Sequence, residues 1–227
     1  YKVLLIEDNA HGYGGSLQGQ SLGTLGDIGF SSPRKFLSTP SGGALHNANE
    51  SSREIARQLM PYPAFRWASL MKTALRLCPP AWRSVKSRID RSRDWRNPLL
   101  FREDVQPSYG IDQYSRRRIE SADWQIIARR RRDCWAAWEN VVRQRGLQTV
   151  YPSVHGESCP WAMPAYVSSV EERDDWLIWG AQHGVPLFPW PSLPASVVAT
   201  KGRAFARWES MVCFPLDVFP GHVDTMP

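Results

Sequence analysis

The sequence predicts an α/β protein, and three observations carry that expectation. The first 48 residues alternate short apolar runs (VLLI at 3–6, DIGFSS at 27–32, GGALHN at 42–47) with a loop through Gly12, Gly14, Gly15, Gly19 and Gly23. Continuous apolar runs of this length, bounded by turn residues, suit buried strands of an α/β sheet. Residues 50–146 then read as mainly helical, and residues 147–227 return to mixed strand and helix.

The elements follow in order. VLLI forms the first strand and reaches acids at Glu7 and Asp8; DIGFSS and GGALHN form two more. In such sheets, residues that do chemistry collect just past the carboxyl ends of the strands, which singles out Asp8 after the first run and Lys35 after the second. Ser51 or Ser52 is a candidate N-cap for the helical region, with AFRWASLMKTALRL (64–77) an apolar-basic helical stretch broken by Pro79, Pro80 and Pro98. One long helix is expected from Ile119 to Arg145, stopping before Gly146. Further on, AMPAYVSS reads as a strand, ERDDWLIWGAQH as a helix stopped by Gly184, and VPLF as another strand before proline-rich loops.

The chain has 227 residues, 42% hydrophobic and 22% charged, with a mean hydropathy of −0.41. This is the composition of a globular protein rather than a disordered or fibrous one, and no apolar run approaches the roughly 18–20 residues of a membrane span. A chain that starts at Tyr1, inside an apolar strand and without a signal-peptide pattern, reads as an N-terminally truncated fragment. The formal charge is +6, and it is concentrated. Residues 83–132 hold 14 basic against 7 acidic side chains, compared with 8 against 5 before them and 6 against 10 after. The basic residues there are nearly all arginine, notably Arg116 to Arg118 and Arg129 to Arg132, and solvated helix faces are the first expectation for such runs. Cys78, Cys134, Cys159 and Cys213 form no C-x-x-C pair, and the five histidines lack the i, i+4 spacing of helical metal ligands, so no metal site is signalled. Most of the eleven tryptophans are expected in an aromatic core.

The run IEDNAHGYGGSLQGQSLGTLGDIGFSSPRKFLSTPSGGAL (6–45) resembles the cofactor-binding core of the DegT/DnrJ/EryC1/StrS family of sugar aminotransferases, which have fold type I. An E-D-x-A-[QH] run, a G-x-x-G-D-I-G turn, a serine-bearing strand end, a lysine and a G-G-A-[LV] strand stand in the family's order. SRRRIESADWQIIARRRRDCW is similar to the family's arginine-rich helix, and HGVPLFPWPSLP and FARWESMVCFPLD to its closing loops. The resemblance implies part of the large-domain sheet and a helical middle in residues 1–110, and an α+β small domain in residues 111–227. It also implies pyridoxal 5′-phosphate as cofactor, a nucleotide-linked keto-sugar as substrate, an amino-acid donor, a homodimer and a cytoplasmic location.

The residue types fit that chemistry. An electron-sink ring needs its pyridine nitrogen kept protonated by a carboxylate, the role of Asp8, and an amine nucleophile that also carries protons, the role of Lys35. The resemblance places His11 beside the cofactor ring. Ser32 is the first choice for a donor to the cofactor phosphate, with Ser31 open. Family members that deoxygenate sugars carry histidine in place of the lysine, so Lys35 implies transamination. Gly26, Asp27, Gly29, Gly42 and Gly43 read as turn-shaping. The family's usual acid ahead of the glycine pair is Ser41 here, and its Asn-Tyr after the arginine run is Cys134-Trp135. A non-catalytic sensor built on the same scaffold is the alternative reading. A basic nucleic-acid module, which no recognised nucleic-acid motif supports, is the remote one.

Overall fold

The structure is a computed structural model that describes residues 3–37, 39–47, 54, 58–60, 94–99, 109–190 and 192–221. The expected helical stretch at 64–77, the caps at Ser51 and Ser52, and Cys78 lie outside the described residues. The architecture is α/β, as expected. The chain divides into two compact units, one of residues 1–71, 106–132 and 154–161, the other of residues 72–105, 133–153 and 162–227.

In the first unit, β1 (Ile6–Asn9), β4 (Ile28–Ser31) and β5 (Ala44–His46) form a three-stranded sheet in the order β1-β4-β5. β1 and β4 run parallel with Asp8 opposite Phe30 and Asn9 opposite Ser31, so both strands deliver their carboxyl ends to the same edge. β5 pairs antiparallel on the other side of β4, with Gly29 opposite His46. Between β1 and β4 lies a small hairpin, β2 (Ser16–Leu17) with β3 (Gln20–Ser21). Glu7 holds this loop: its carboxylate accepts from Gly23 N at 2.6 Å and from Leu25 N at 2.8 Å. Asp27 accepts from Leu5 N at 2.8 Å. Gly29 is required by a close approach, because a Cβ there would lie 1.8 Å from the Gly23 carbonyl oxygen.

The expectation of a buried first strand is corrected. Val3 to Ile6 are 58–81% exposed, and of that run only Ile6 lies in the strand, which pairs with β4 alone among the described residues.

The single long helix expected over 119–145 is two helices. The first, α1 (Gln113–Glu120), is N-capped by Asp112, which accepts from Ser115 N, and it ends at Ser121. The second, α2 (Trp124–Gln144), starts at a fresh cap, Asp123, whose carboxylate accepts from Ile126 N at 3.0 Å. Two side chains that compete for backbone donors, Ser121 and Asp123, sit between them and interrupt the ladder. Asp112 also accepts hydrogen bonds from the Ser41 and Ser115 hydroxyls, so Ser41 ties the loop before β5 to the start of α1.

In the second unit, β6 (Gln148–Thr149), β7 (Ala162–Tyr166) and β8 (Met211–Pro215) form an antiparallel sheet in that order. The predicted strand over VPLF is reduced to one bridge, Phe188 with Cys213. The helix α3 (Val170–His183) has Ser169 as N-cap and ends at Gly184, whose φ of 70° is the left-handed cap conformation that glycine adopts without strain. Two short helices, α4 (Ala195–Thr200) and α5 (Arg203–Glu209), precede β8. Met163, Ala165, Val212 and Phe214 are fully buried and alternate with the residues on the sheet's other face. Trp138 and Trp176 pack on Phe214 at ring distances of 5.0 and 5.5 Å, so the tryptophans there are core, as expected. No helix among the described residues is long and apolar enough to cross a membrane.

Candidate active site

The parallel β1–β4 pair determines which side chains can meet. Asp8 is the penultimate residue of β1, and three residues on, the chain has turned to place His11; β4 ends at Ser31, and a 3-10 turn over Pro33–Lys35 presents Lys35. The two paths converge: Lys35 Nζ lies 2.6 Å from His11 Nε2.

Burial holds the His11 imidazole below its usual pKa, the Lys35 ammonium lowers it further, and Asp8 opposes both. The ring is therefore neutral near pH 7, and its Nε2 accepts the hydrogen bond that the Lys35 ammonium donates. Asp8 is exposed at the strand end; its Oδ1 accepts from Ala10 N at 3.0 Å and caps the turn leaving β1. Its Oδ2 has no hydrogen-bond partner among the described residues.

The two serines part company. Ser31 is buried, and its Oγ accepts from Asn9 Nδ2 at 3.2 Å and lies 2.9 Å from His46 Nε2. Ser32 stands at the start of the 3-10 turn without capping it, half-buried, and its hydroxyl has no hydrogen-bond partner among the described residues. Ser31 thus cross-links β1, β4 and β5, while Ser32 has a hydroxyl to offer.

The structure also brings in residues that the sequence did not single out. Trp161, far along the chain, stacks on His11 with ring centroids 4.5 Å apart, and Lys35 Nζ lies 5.1 Å from the same indole. Tyr13 packs edge-on against Trp124 at 4.5 Å, and Phe36, Ala128 and Cys159 form the buried cluster beneath. Burial pushes the Cys159 thiol up to about 11, so it stays protonated.

The arginine run of α2 is only partly a solvated face. Arg129 and Arg130 are exposed, as are Arg116 to Arg118. Arg131, by contrast, is 5% exposed: it donates to the carbonyls of Pro160 and Trp161 at 3.3 and 3.0 Å and lies over the Phe36 ring at 4.9 Å. Arg132 donates to Ser158 O at 2.8 Å. These two side chains pin the loop that carries Trp161. Next along, Cys134 and Trp135 are buried.

An amine, a neutral imidazole, a carboxylate and a hydroxyl thus stand at or just past the carboxyl ends of two parallel strands. The chain's first stretch has a family match. Residues 1–71 match the model of the DegT/DnrJ/EryC1/StrS aminotransferase family. That match contains every predicted site residue, Asp8, His11, Ser31, Ser32 and Lys35, so the family resemblance read from 6–45 holds over this stretch.

No curated protein sequence matches the chain significantly. Solved structures share its fold. The aminotransferase TlmJ from Streptoalloteichus hindustanus matches with a TM-score of 0.58 and 20% identity over 99% of this chain and 56% of its own. Spr1654 from Streptococcus pneumoniae, solved in a PLP form, matches with a TM-score of 0.57 and 16% identity over 98% of this chain and 55% of its own. The E. coli GDP-4-keto-6-deoxy-D-mannose-3-dehydratase, with bound hydrated PLP, matches with a TM-score of 0.54 and 14% identity over 94% and 56%. The chain thus spans about half the length of the solved structures it matches.

Proposed function

We infer that this chain forms part of a pyridoxal 5′-phosphate-dependent aminotransferase that moves an amino group from an amino-acid donor to a nucleotide-linked keto-sugar. The observation that carries the reading is the Lys35–His11 contact at the carboxyl ends of two parallel strands. The fold is shared with a dehydratase as well as with aminotransferases, and Lys35, the family's aminotransferase lysine, favours amino transfer.

The residues present fit the cofactor. Asp8 has a carboxylate oxygen to spare at an exposed strand end, Ser32 has an unengaged hydroxyl, and Lys35 offers a half-buried amine. When bound, pyridoxal phosphate supplies an electron sink conjugated to the carbon that carries the migrating amine. Asp8 would hold the ring nitrogen protonated by charge pairing. Lys35 would hold the cofactor through its amine and, once displaced, carry the proton between the two carbon centres. His11 and Trp161 position Nζ, one by accepting its hydrogen bond and the other by offering a π-face to its charge. Ser32 would donate to the phosphate. A homodimer for the intact protein and a cytoplasmic location follow from the same family reading.

The test is labelling followed by a half-reaction. The full-length protein that contains this chain is incubated with pyridoxal phosphate, reduced with borohydride and mapped by peptide mass spectrometry. The phosphopyridoxyl group is expected on Lys35, and glutamate added before reduction is expected to yield pyridoxamine phosphate. A Lys35→Ala protein that still converts the cofactor in the presence of glutamate would sink the assignment.

A further inference from the structure

The second unit contains a cleft of about 590 Å³, within the range of small-molecule sites, roughly 300–1,000 Å³. It opens on the face of the β6–β8 sheet opposite the Met163 and Val212 core, under α5 and the loop before α4. Its walls are aromatic: Tyr151, Tyr166, Trp190 and Trp208 line it, with Arg203 and Arg207 among the same lining residues and no acidic side chain among the described residues that line it.

Two features show that this is a built surface. Trp208 is fixed in place: its Nε1 donates to the Trp190 carbonyl at 2.8 Å, and the buried Arg173 guanidinium lies 5.0 Å from its ring. Arg203 and Arg207 stand one helical turn apart on α5 and are exposed, and neither guanidinium has a hydrogen-bond or ion-pair partner among the described residues. Like charges at i, i+4 repel on a helix. An anion between them would relieve that repulsion, and the planar guanidinium fork suits carboxylate or phosphate. Aromatic walls accept a flat ring by stacking.

We propose that this cleft binds a planar aromatic anion, its ring against Trp190 and the two tyrosines and its charged group on Arg203 and Arg207. The site lies within the second unit and is independent of the amine chemistry assigned to Lys35.

Calorimetric titration of the 227-residue protein with uridine 5′-monophosphate, 4-hydroxybenzoate, uridine and inorganic phosphate tests it. At least one of the two aromatic anions is expected to bind saturably, and their relative affinity shows whether phosphate or carboxylate is preferred. Uridine and phosphate alone should each bind at least about tenfold more weakly. The double variant R203Q/R207Q, whose changes are on exposed side chains and whose folding is checked by circular dichroism, should lose about tenfold or more, and Trp190→Ala should weaken binding likewise. Absence of binding by both aromatic anions at millimolar concentration, or equal binding by the double variant, would overturn the proposal.

Discussion

Arg131 donates to the carbonyl of Trp161 at 3.0 Å, and through that bond a helix of the arginine run holds the indole that lies beside Lys35. The arginine is buried because its charge is spent on backbone carbonyls and on the Phe36 ring rather than on solvent. Arg131→Met retains the aliphatic stem but removes these hydrogen bonds. It is expected to lower unfolding stability by about 1.5–3 kcal/mol, read from the urea midpoint. Arg130→Met, at an exposed neighbouring position, should stay within about 0.5 kcal/mol of the parent.

His11 is expected to make the protein's stability sensitive to mild acid. Its folded pKa lies below the ordinary 6.5, first through burial and then through Lys35. Protonation therefore favours the unfolded chain: stability is complete above about pH 6.5 and falls as the pH drops through that value toward the lower folded pKa. Thermal melts between pH 7.5 and 5 should show this loss, and His11→Gln, which cannot titrate there, should flatten it. An unchanged pH dependence in that variant would refute the role of His11.

The two serines should separate stability from cofactor binding. Ser31→Ala removes the acceptor of Asn9 and the partner of His46 inside the sheet, at an expected cost of about 1–3 kcal/mol. Ser32→Ala should leave the unfolding midpoint nearly unchanged and weaken pyridoxal phosphate binding. Equal losses of stability in both variants would contradict the division.

Gly29 tests the glycine-rich loop. A methyl group there would strike the Gly23 carbonyl at 1.8 Å, and backbone cannot move aside as a flexible side chain can. Gly29→Ala is expected to cost about 3 kcal/mol or more, measured by denaturant unfolding. Gly146→Ala, with open space around it but a φ of 75°, should cost less.

Asp8 and Lys35 were legible in the sequence because each follows an apolar run, and His11 came only from the family resemblance; the Lys35–His11 contact follows from two parallel strands sharing one edge. The stop of α3 at Gly184 was legible as a glycine closing a helical run, whereas its cap, Ser169, was read as the end of the preceding strand. The break between α1 and α2 was missed because the apolar and basic pattern continues through it; only Asp123 ahead of Trp124 marked the second start. Trp161, Asn9 and His46 were not legible as site neighbours. Their placement depends on tertiary packing, and nothing in the local pattern of CPWAM ties it to a lysine at position 35. Arg131 was hidden inside a run whose flanking members face water.

The first unit is discontinuous in the chain, and this sets a clock on the site. Residues 6–45 contain Asp8, His11 and Lys35, yet the indole that stacks on His11 and the arginine that holds that indole come from residues 161 and 131. At synthesis rates of about 5–20 residues per second, Lys35 leaves the peptidyl-transferase centre on the order of ten seconds before Trp161. During vectorial synthesis the amine is thus made well ahead of its indole neighbour, and a polypeptide cut at residue 71 would contain the whole signature motif without the wall that completes it.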